Sequence, residues 1–550
     1  MEDYCIIGTE KLESKSGDNV IDLILHTLEL KKQILVFNNS KKSSESTAEK
    51  ISESIKYVEN KEKLAELSKK ILSTISTPTK QCKRLSQIIE KGIAFHHSGL
   101  LPKQRDIVEK AFKEGYIKVI CSTPTLAAGL NLPAYKVIIK DYKRYSQRGY
   151  NDIPVLEYHQ MSGRAGRPGK EDIGKTVLCI KTENELEKVV PKYLFGSPEE
   201  LISKLAVEPI LKMYLLSMVA MNITNTKKEL IDFFSNTFYA YQYKDTKTLS
   251  LNLFRILEIL KDYQFITEED DYYMATPTGK KVSELYLNPD TANYFLENID
   301  KFFDKFSETN ITKSDVFSLI YFIVNTQEMR PIFKVYKTEE EIYLKKSEDL
   351  ADSLVIKFDP FEMDFENYLS ILKTCEILND WIQEAPEDYI SEKYKITPGE
   401  LLFKLETVDW LLYCLEEISL MKKNYYFRNY LNKLRIRFKN GIKEELLALI
   451  VLKGIGRVRA RKLFNAGFKK ILDIRRADFA SLAKILGENI AIKIKEQLAV
   501  EIDENEHLIE KPKEIKIRDV SSEEVEYLVK HINEYEKEKE EKNKSLHDFF

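Results

Sequence analysis

The chain has 550 residues, 43% of them hydrophobic and 11% aromatic, which is enough apolar side chain for several packed cores and excludes wholesale disorder. Lys+Arg 85 against Asp+Glu 88 leaves a formal net charge of -3. That balance excludes a polycationic coat protein but not a nucleic-acid binder, because opposite charges can be segregated along the chain. Six cysteines lie far apart with no C-x-x-C pair, which argues against a zinc site or a disulfide framework and fits a reducing cytoplasm. Glu2 and Asp3 stand where a signal peptide would be basic, and the longest apolar run, residues 446–452, is too short for a bilayer. The expectation is a soluble cytoplasmic protein with no membrane partner.

In chain order, residues 34–37 are a short apolar run, and the polar stretch from 40 to 70 reads as helix. Residues 93–95, 119–121, 137–139 and 177–180 are further strand candidates, separated by helical or loop segments. Strands alternating with helices predict a parallel α/β sheet, whose ligands bind at the carboxyl ends of the strands. From about Lys192 the character changes. Residues 201–242 are helical and aromatic-rich, and a helix over 251–263 is followed by a strand-like 265–274, an order that suggests a winged helix. Pro289 marks a boundary, and residues 290–430 carry the 3.6-residue apolar spacing of a helical bundle. A compact basic segment runs from Arg435 to about Leu498, and a tail of alternating Glu and Lys begins at Glu504.

Several motifs carry chemistry. In Gln160-Met161-Ser162-Gly163-Arg164-Ala165-Gly166-Arg167-Pro168-Gly169, two arginines three residues apart on one helical face can present two guanidinium forks to a polyphosphate. Upstream, Thr123, Thr125, Gly129 and Asn131 follow the apolar Val119-Ile120, and hydroxyls and amides at a strand end suit phosphate contacts. His96-His97-Ser98-Gly99 follows another strand, where adjacent histidines point to opposite faces and do not share a metal. Residues 141–153 interleave aromatics and cations around Gly149 and read as a β-hairpin. Tyr145 or Tyr150 can cap a stacked base pair while Arg144 and Arg148 hold phosphates; an ordinary solvent-exposed hairpin is the alternative. Residues 453–470 contain Lys453, Arg457, Arg459 and Arg461 and no acid, around a Gly454-Ile455-Gly456 turn. Such glycines let backbone amides approach a phosphate without reading sequence, although a protein-protein role is open as well.

In order and spacing these elements resemble the second motor domain of superfamily-two helicases, with Asn38 and Ser40 in the preceding motif. The details are most similar to the archaeal fork helicases of the Ski-like branch known as Hjm, relatives of the eukaryotic HELQ helicases. Thr237-Phe238-Tyr239-Ala240 and Ala275-Thr276-Pro277-Thr278-Gly279 match the family's winged helix, Pro398-Gly399 through Trp410 its ratchet, and residues 454–461 its C-terminal domain. The resemblance implies a multidomain α/β plus α chain. A second RecA-like motor domain would occupy residues 1–191, a winged helix 192–289, a helical ratchet bundle 290–432, a helix-hairpin-helix domain 433–503 and a charged tail 504–550.

By the same resemblance, Arg164 and Arg167 would be arginine fingers on ATP and Gln160 would link nucleotide and sheet, while Gly129 and Asn131 line the nucleotide cleft. Thr123, Thr125 and the amides near Ser98 and Gly99 would hold DNA phosphates, and the hairpin would split the duplex. Trp410 would stack a base, although a lone Trp on a helix is more often part of a core. The family's arginine two turns earlier is here Phe403, with Lys404 beside it, so that arginine's phosphate role does not carry over. The C-terminal Leu546, Phe549 and Phe550 resemble a sliding-clamp (PCNA) binding peptide, with Asn543 where glutamine is usual.

The chain is expected to lack a G-x-x-x-x-G-K-[ST] loop and an Asp-Glu metal motif, and the match begins almost at Met1. The leading expectation is therefore the C-terminal subunit of a split ATP-dependent DNA helicase acting on single-stranded and forked DNA in replication-coupled repair. Its site for ATP with Mg2+ would form with a partner chain carrying the first RecA-like domain. The alternatives are a non-catalytic DNA-binding, clamp-recruiting protein, a gene fragment, and an RNA helicase subunit of the same branch.

Overall fold

Four-residue apolar runs make strands that are stable only when both faces are covered, and helices on either side cover them here. The computed structural model describes residues 14, 16–55, 58–75, 77–127, 129, 131–146, 149–166, 173–205, 207–244, 246–307, 311–361 and 363–498. Arg148, Arg167, Leu546, Phe549, Phe550 and the side chain of Tyr145 lie outside the described residues.

The first layer pattern runs α1 (Asn19–Glu29), β1 (Ile34–Phe37), α2 (Lys41–Ser54), α3 (Lys61–Leu72), α4 (Lys80–Ile89), β2 (Ile93–His96), α5 (Pro102–Lys113) and β3 (Val119–Ser122). It continues with β4 (Lys136–Ile139), the hairpin strands β5 (Lys143–Ser146) and β6 (Gly149–Asp152), α6 (Val155–Ser162), β7 (Lys175–Leu178) and α7 (Glu183–Tyr193). The sheet order is β2-β3-β1-β4-β7, every neighbouring pair parallel, with Ile34 opposite both Val119 and Lys136. β1 to β4 are buried along their whole length, and their side chains form one core with those of the flanking helices. The polar stretch expected as one helix is two. Ser40 caps α2, its Oγ accepting from the Ser43 amide at 3.2 Å, and Asn60 in the left-handed region opens α3.

A helical region follows: α8 (Glu208–Ala220), α9 (Lys227–Ser235), α10 (Phe238–Tyr243), α11 (Thr246–Asp262), the antiparallel hairpin β8 (Ile266–Glu269) and β9 (Tyr272–Ala275), and α12 (Pro277–Glu284). Thr276 caps α12, and Gly279 sits so close to the Phe265 carbonyl that any Cβ would overlap it. Then come α13 (Pro289–Asn298), α14 (Asp300–Ser307), α15 (Lys313–Val324), α16 (Glu340–Leu350), α17 (Phe365–Ile382), α18 (Glu387–Tyr394), α19 (Pro398–Met421) and α20 (Tyr425–Asn440). One continuous core runs from Leu211 to Phe438 and crosses Pro289, which serves as the first residue of α13. Phe322 is at its centre, its ring about 5 Å from those of Tyr294, Phe295 and Phe302.

The chain divides into two compact units, Met1–Asp473 and Ile474–Phe550. The first ends with α21 (Leu447–Ile450) and α22 (Arg457–Asn465), and α23 (Ile471–Arg476) begins in it. The described part of the second holds α24 (Phe479–Leu486), capped by Asp478, and α25 (Glu488–Gln497), whose Lys495 ammonium donates to the Arg475 and Ala477 carbonyls. Among the described residues no helix is long and apolar enough to cross a membrane.

Candidate nucleotide and nucleic-acid sites

The arginine motif lies beside the residues that lead into β4, within reach of the turn that follows β3. After β3 the chain makes a short turn in which the Thr123 and Thr125 hydroxyls lie 2.9 Å apart. The Ala127 carbonyl that closes the turn accepts from Arg164 Nε at 3.1 Å and from Arg164 Nη2. Gly129 follows at φ +84 with nothing near its missing Cβ, so the left-handed backbone, not crowding, is what favours glycine there. Asn131 is exposed, as is Gln160 in the last turn of α6.

The expectation of two arginines on one helical face is corrected. α6 stops at Ser162 with Gly163 as its cap; beyond it Ala165 bridges Ala134, and the Gly166 amide donates to the Ala134 carbonyl at 2.7 Å. Gly166 has φ +95, so the helix cannot continue through it, and Arg164 projects from the turn that follows the helix.

A second correction concerns the phosphate loop. Residues 169–176 read Gly-Lys-Glu-Asp-Ile-Gly-Lys-Thr, a literal match to the G-x-x-x-x-G-K-T spacing that was expected to be missing. A phosphate loop places its lysine at the start of a helix that follows a strand. Here Lys175 and Thr176 open β7: the Lys175 amide donates to the Tyr135 carbonyl at 3.0 Å, and the Thr176 hydroxyl to the Ser162 carbonyl at 3.3 Å. The spacing is present without the strand-loop-helix context that gives it its chemistry.

Next to the turn after β3, the loop after the neighbouring strand β2 is braced by its histidines. His97 is fully buried; its Nδ1 accepts from the Gly99 amide at 3.1 Å and its Nε2 lies 3.1 Å from Glu45. Burial would raise the Glu45 carboxyl, but hydrogen bonds from His97 and Gln81 and the Arg84 charge outweigh it and hold the group low. His96 points away, its Nε2 at 2.9 Å from Glu109 of α5. Each histidine is thus engaged by a different helix.

The braced loop meets α19. The Gly399 amide donates to the Gly99 carbonyl at 3.0 Å, and a Cβ on Gly399 would overlap the Ser98 carbonyl. Glu400 accepts from the Thr397 amide (2.8 Å) and hydroxyl (2.7 Å) and pairs with Lys41 of α2 at 2.6 Å. One turn further along, Phe403 is 56% exposed, whereas Lys404 turns inward and donates to the Met329 carbonyl at 2.6 Å. Trp410, seven residues from Phe403 and so on the same helical face, is half-buried against the helical core and donates to the Leu285 carbonyl at 3.2 Å. Loop and helix bound a cleft of about 420 Å³ lined by Ser98, Leu100, Arg105, Phe333 and Phe403 among others. Ser98 and Phe403, far apart in sequence, share that cleft.

The hairpin pairs Tyr145 with Tyr150, which is 73% exposed. Arg144 is held by Glu157 at 2.9 Å, and Lys143 by Glu185 at 2.8 Å.

Around Gly454 (φ +91) and Gly456, which caps α22, the cations divide. Lys453 and Arg459 are exposed, Arg459 donating to the Gly454 carbonyl at 2.9 Å. Arg457 and Arg461 are half-buried, held by groups outside the segment. The Arg457 guanidinium lies 4.8 Å over the Trp381 ring and donates to the Ala385 carbonyl at 2.7 Å. Arg461 makes a two-pronged pair with Glu384 (2.8 and 2.6 Å) and a further bond to Glu445. A segment without its own acids draws carboxylates from tertiary neighbours, and Trp381, Glu384 and Lys41 carry no local motif by which sequence could have singled them out.

Comparison with known proteins places this geometry. The family model for the archaeal helicase, domain 4, matches residues 317–441, and that for the helicase conserved C-terminal domain matches residues 64–169. The ATP-dependent DNA helicase Hel308 of Methanococcus vannielii is 35% identical over 527 residues, covering 89% of this chain and 68% of the relative. The chain belongs to the archaeal Hel308 helicase family. Hel308 of Pyrococcus horikoshii is 36% identical over 501 residues (90% of this chain, 67% of the relative), and that of Methanocella arvoryzae 37% over 496 (88% and 65%). This Hel308-family chain therefore spans about two thirds of the relatives it matches, and the domain 4 match takes in all of α19 with Phe403 and Trp410.

Proposed function

We propose that the chain is the second motor half and the DNA-handling portion of a Hel308-type ATP-dependent DNA helicase, and that a partner polypeptide carrying the first RecA-like domain completes its ATP site. The carrying observation is the Gly399–Gly99 hydrogen bond, which joins the loop suited to DNA phosphates to the helix that bears Phe403 and Trp410. In this reading Ser98, Gly99, Thr123 and Thr125 hold the backbone of single-stranded DNA. Phe403 and Trp410 stack bases, and the hairpin with Arg144, Tyr145 and Arg148 opens the fork. Helices α8 to α11 with the β8–β9 hairpin act as a winged helix. The turn at Gly454 and Gly456, with Lys453 and Arg459, acts as a helix-hairpin-helix phosphate clasp, while Arg457 and Arg461 position it against the bundle.

On the nucleotide side, Arg164 and Arg167 neutralise charge on the γ-phosphate, with Gly129, Asn131 and Gln160 around it. Arg164 beside the left-handed Gly129 turn fits one end of a polyphosphate. The phosphate loop and Mg2+ carboxylates are assigned to the partner polypeptide, since the one string with loop spacing opens a strand. The C-terminal Leu546, Phe549 and Phe550 are assigned to a sliding clamp, a binding tested by deleting the last eight residues and measuring clamp capture.

The decisive experiment mixes purified chain with a first RecA-like domain and measures DNA-stimulated ATP hydrolysis. Each component alone is expected to be inactive, and Arg164→Ala or Arg167→Ala to lower the rate of the mixture roughly 10³-fold. An inactive mixture, or one indifferent to both changes, rejects the split motor. Binding of RNA in preference to DNA of the same sequence would move the chain to the RNA-acting branch.

A further inference from the structure

Helix α6, which carries Gln160 and leads to Arg164, has no cap of its own, because Pro154 stands at its N-cap position. Its first two amides donate instead to the Glu199 carboxylate, Val155 at 2.7 Å and Leu156 at 3.0 Å. Glu199 lies in the segment between α7 and α8, and the Leu156 and Val155 amides hold its carboxyl below the ordinary value. A helix of eight residues is marginal by itself, so its position is set by what grips it from outside.

A second grip comes from the hairpin. Arg144 Nη1 on β5 donates to both oxygens of Glu157, at 2.9 and 3.3 Å. Only 17% of the Glu157 side chain is exposed, and burial pushes its carboxyl up against the pull of Arg144, so the carboxylate depends on that cation. A two-stranded hairpin is marginal in water and takes its direction from what braces its base. Lys143 and Asp152, opposite each other at that base, pair with Glu185 and Lys192 of α7. Among the described residues it is the Arg144–Glu157 pair that joins the hairpin to α6. Glu157 lies one turn before Gln160, on the same side of the helix. Tyr193 closes the joint: its hydroxyl donates to the Ile153 carbonyl at 2.7 Å, and its ring lies 5.0 Å from that of Tyr158. Hairpin, α6 and the segment after α7 are thus gripped at one place.

We propose that Glu157 is a positioning residue that couples the arginine motif to the fork hairpin, with Glu199 fixing the helix through which the two move together. This rests on the nucleotide and hairpin readings above, and its test separates the tie from them. The chain is mixed with a first RecA-like domain, and DNA-stimulated ATP hydrolysis is measured beside unwinding of a forked duplex. Glu157→Gln is expected to keep ATP hydrolysis within about twofold and to lower the base pairs opened per ATP roughly tenfold. Arg144→Gln is expected to lower unwinding equally, with the double variant no worse than either single one, since one interaction is lost only once. Glu185→Gln, which frees the same hairpin from α7, is expected to keep wild-type coupling; an equal loss there would reduce the tie to bracing. Glu199→Ala is expected to slow ATP hydrolysis, and Pro154→Asp, which supplies a local cap, to restore it. A wild-type rate in Glu199→Ala removes the cap from the coupling. Undiminished unwinding per ATP in Glu157→Gln, or additive losses in the double variant, overturn the proposal. An inactive wild-type mixture sinks the split motor instead, and the tie is then decided on the chain alone by hydrogen exchange. With β1 to β4 still protected, the amides of residues 143–152 exchange faster in Glu157→Gln than in wild type if the tie holds the hairpin; equal rates reject it.

Discussion

Lys404 and Phe403 show how little of a side chain's environment is fixed by its neighbours in sequence. Adjacent on α19, one is buried and the other open. Burial, with the Arg330 charge adding to it, pushes the Lys404 ammonium down to about 8. Because this value lies below the ordinary lysine value, the unfolded chain binds more protons between about pH 8 and 10.4. Folding stability from this group therefore rises with pH across that window and is at its least below it. Lys404→Met is expected to remove this rise. The difference between wild-type and variant urea-unfolding free energies, followed from pH 7 to 10, should change by about 3 kcal/mol in that direction; a flat difference rejects the buried charge. Phe403 was legible as a replacement for an arginine, but that Lys404 turns inward depends on Met329, which no local pattern connects to it.

At the scale of elements, α19 was legible from its apolar period and its Thr397-Pro398-Gly399-Glu400 start, whereas the surface it docks on was not. Gly399→Ala is expected to force the helix off the β2 loop and cost about 1–3 kcal/mol, read as a lowered thermal midpoint. An unchanged midpoint would mean that the two backbones are not in contact. α22 offers a second case. Burial would raise the Glu384 carboxyl, but the Arg461 hydrogen bonds, with the Lys443 amide, hold it below the usual carboxylate range. A depressed carboxylate contributes stability that is complete above about pH 4.3 and fades as pH falls through the lower folded value. Glu384→Gln should therefore be less stable than wild type at pH 6, with the gap closing by pH 3; a gap independent of pH would remove the ion pair as its cause. The glycine turn and the cations of this segment were readable, but their division between solvent and bundle was not, because the acids that decide it lie in α17's C-terminal turn and beyond α20.

At the scale of the molecule, the first unit holds two separate cores, one around the parallel sheet and one from Leu211 to Phe438. Separate cores melt with limited cooperativity. Phe95→Ala and Phe322→Ala, each losing a fully buried ring at a cost of about 3–5 kcal/mol, are expected to shift different calorimetric transitions. One merged transition that moves with either change would show that the contacts between α19 and the β2 loop bind the two cores into a single cooperative body.

The net charge of -3 said little by itself, yet the order of apolar runs and motifs along the chain was enough to determine the parallel sheet, the helical bundle after it and the Hel308 family. Those features depend on local periodicity and on short strings whose geometry is built from near neighbours. Only the tertiary structure decided that Arg164 leaves the helix, that the Gly-Lys-Thr string opens a strand, and that Arg457 and Arg461 face the bundle. It also decided that Arg105 and Phe403 meet in one cleft. Each of these depends on a partner outside the segment, tens to hundreds of residues away, or on a backbone turn at a glycine, and charge, size and spacing within a segment contain neither.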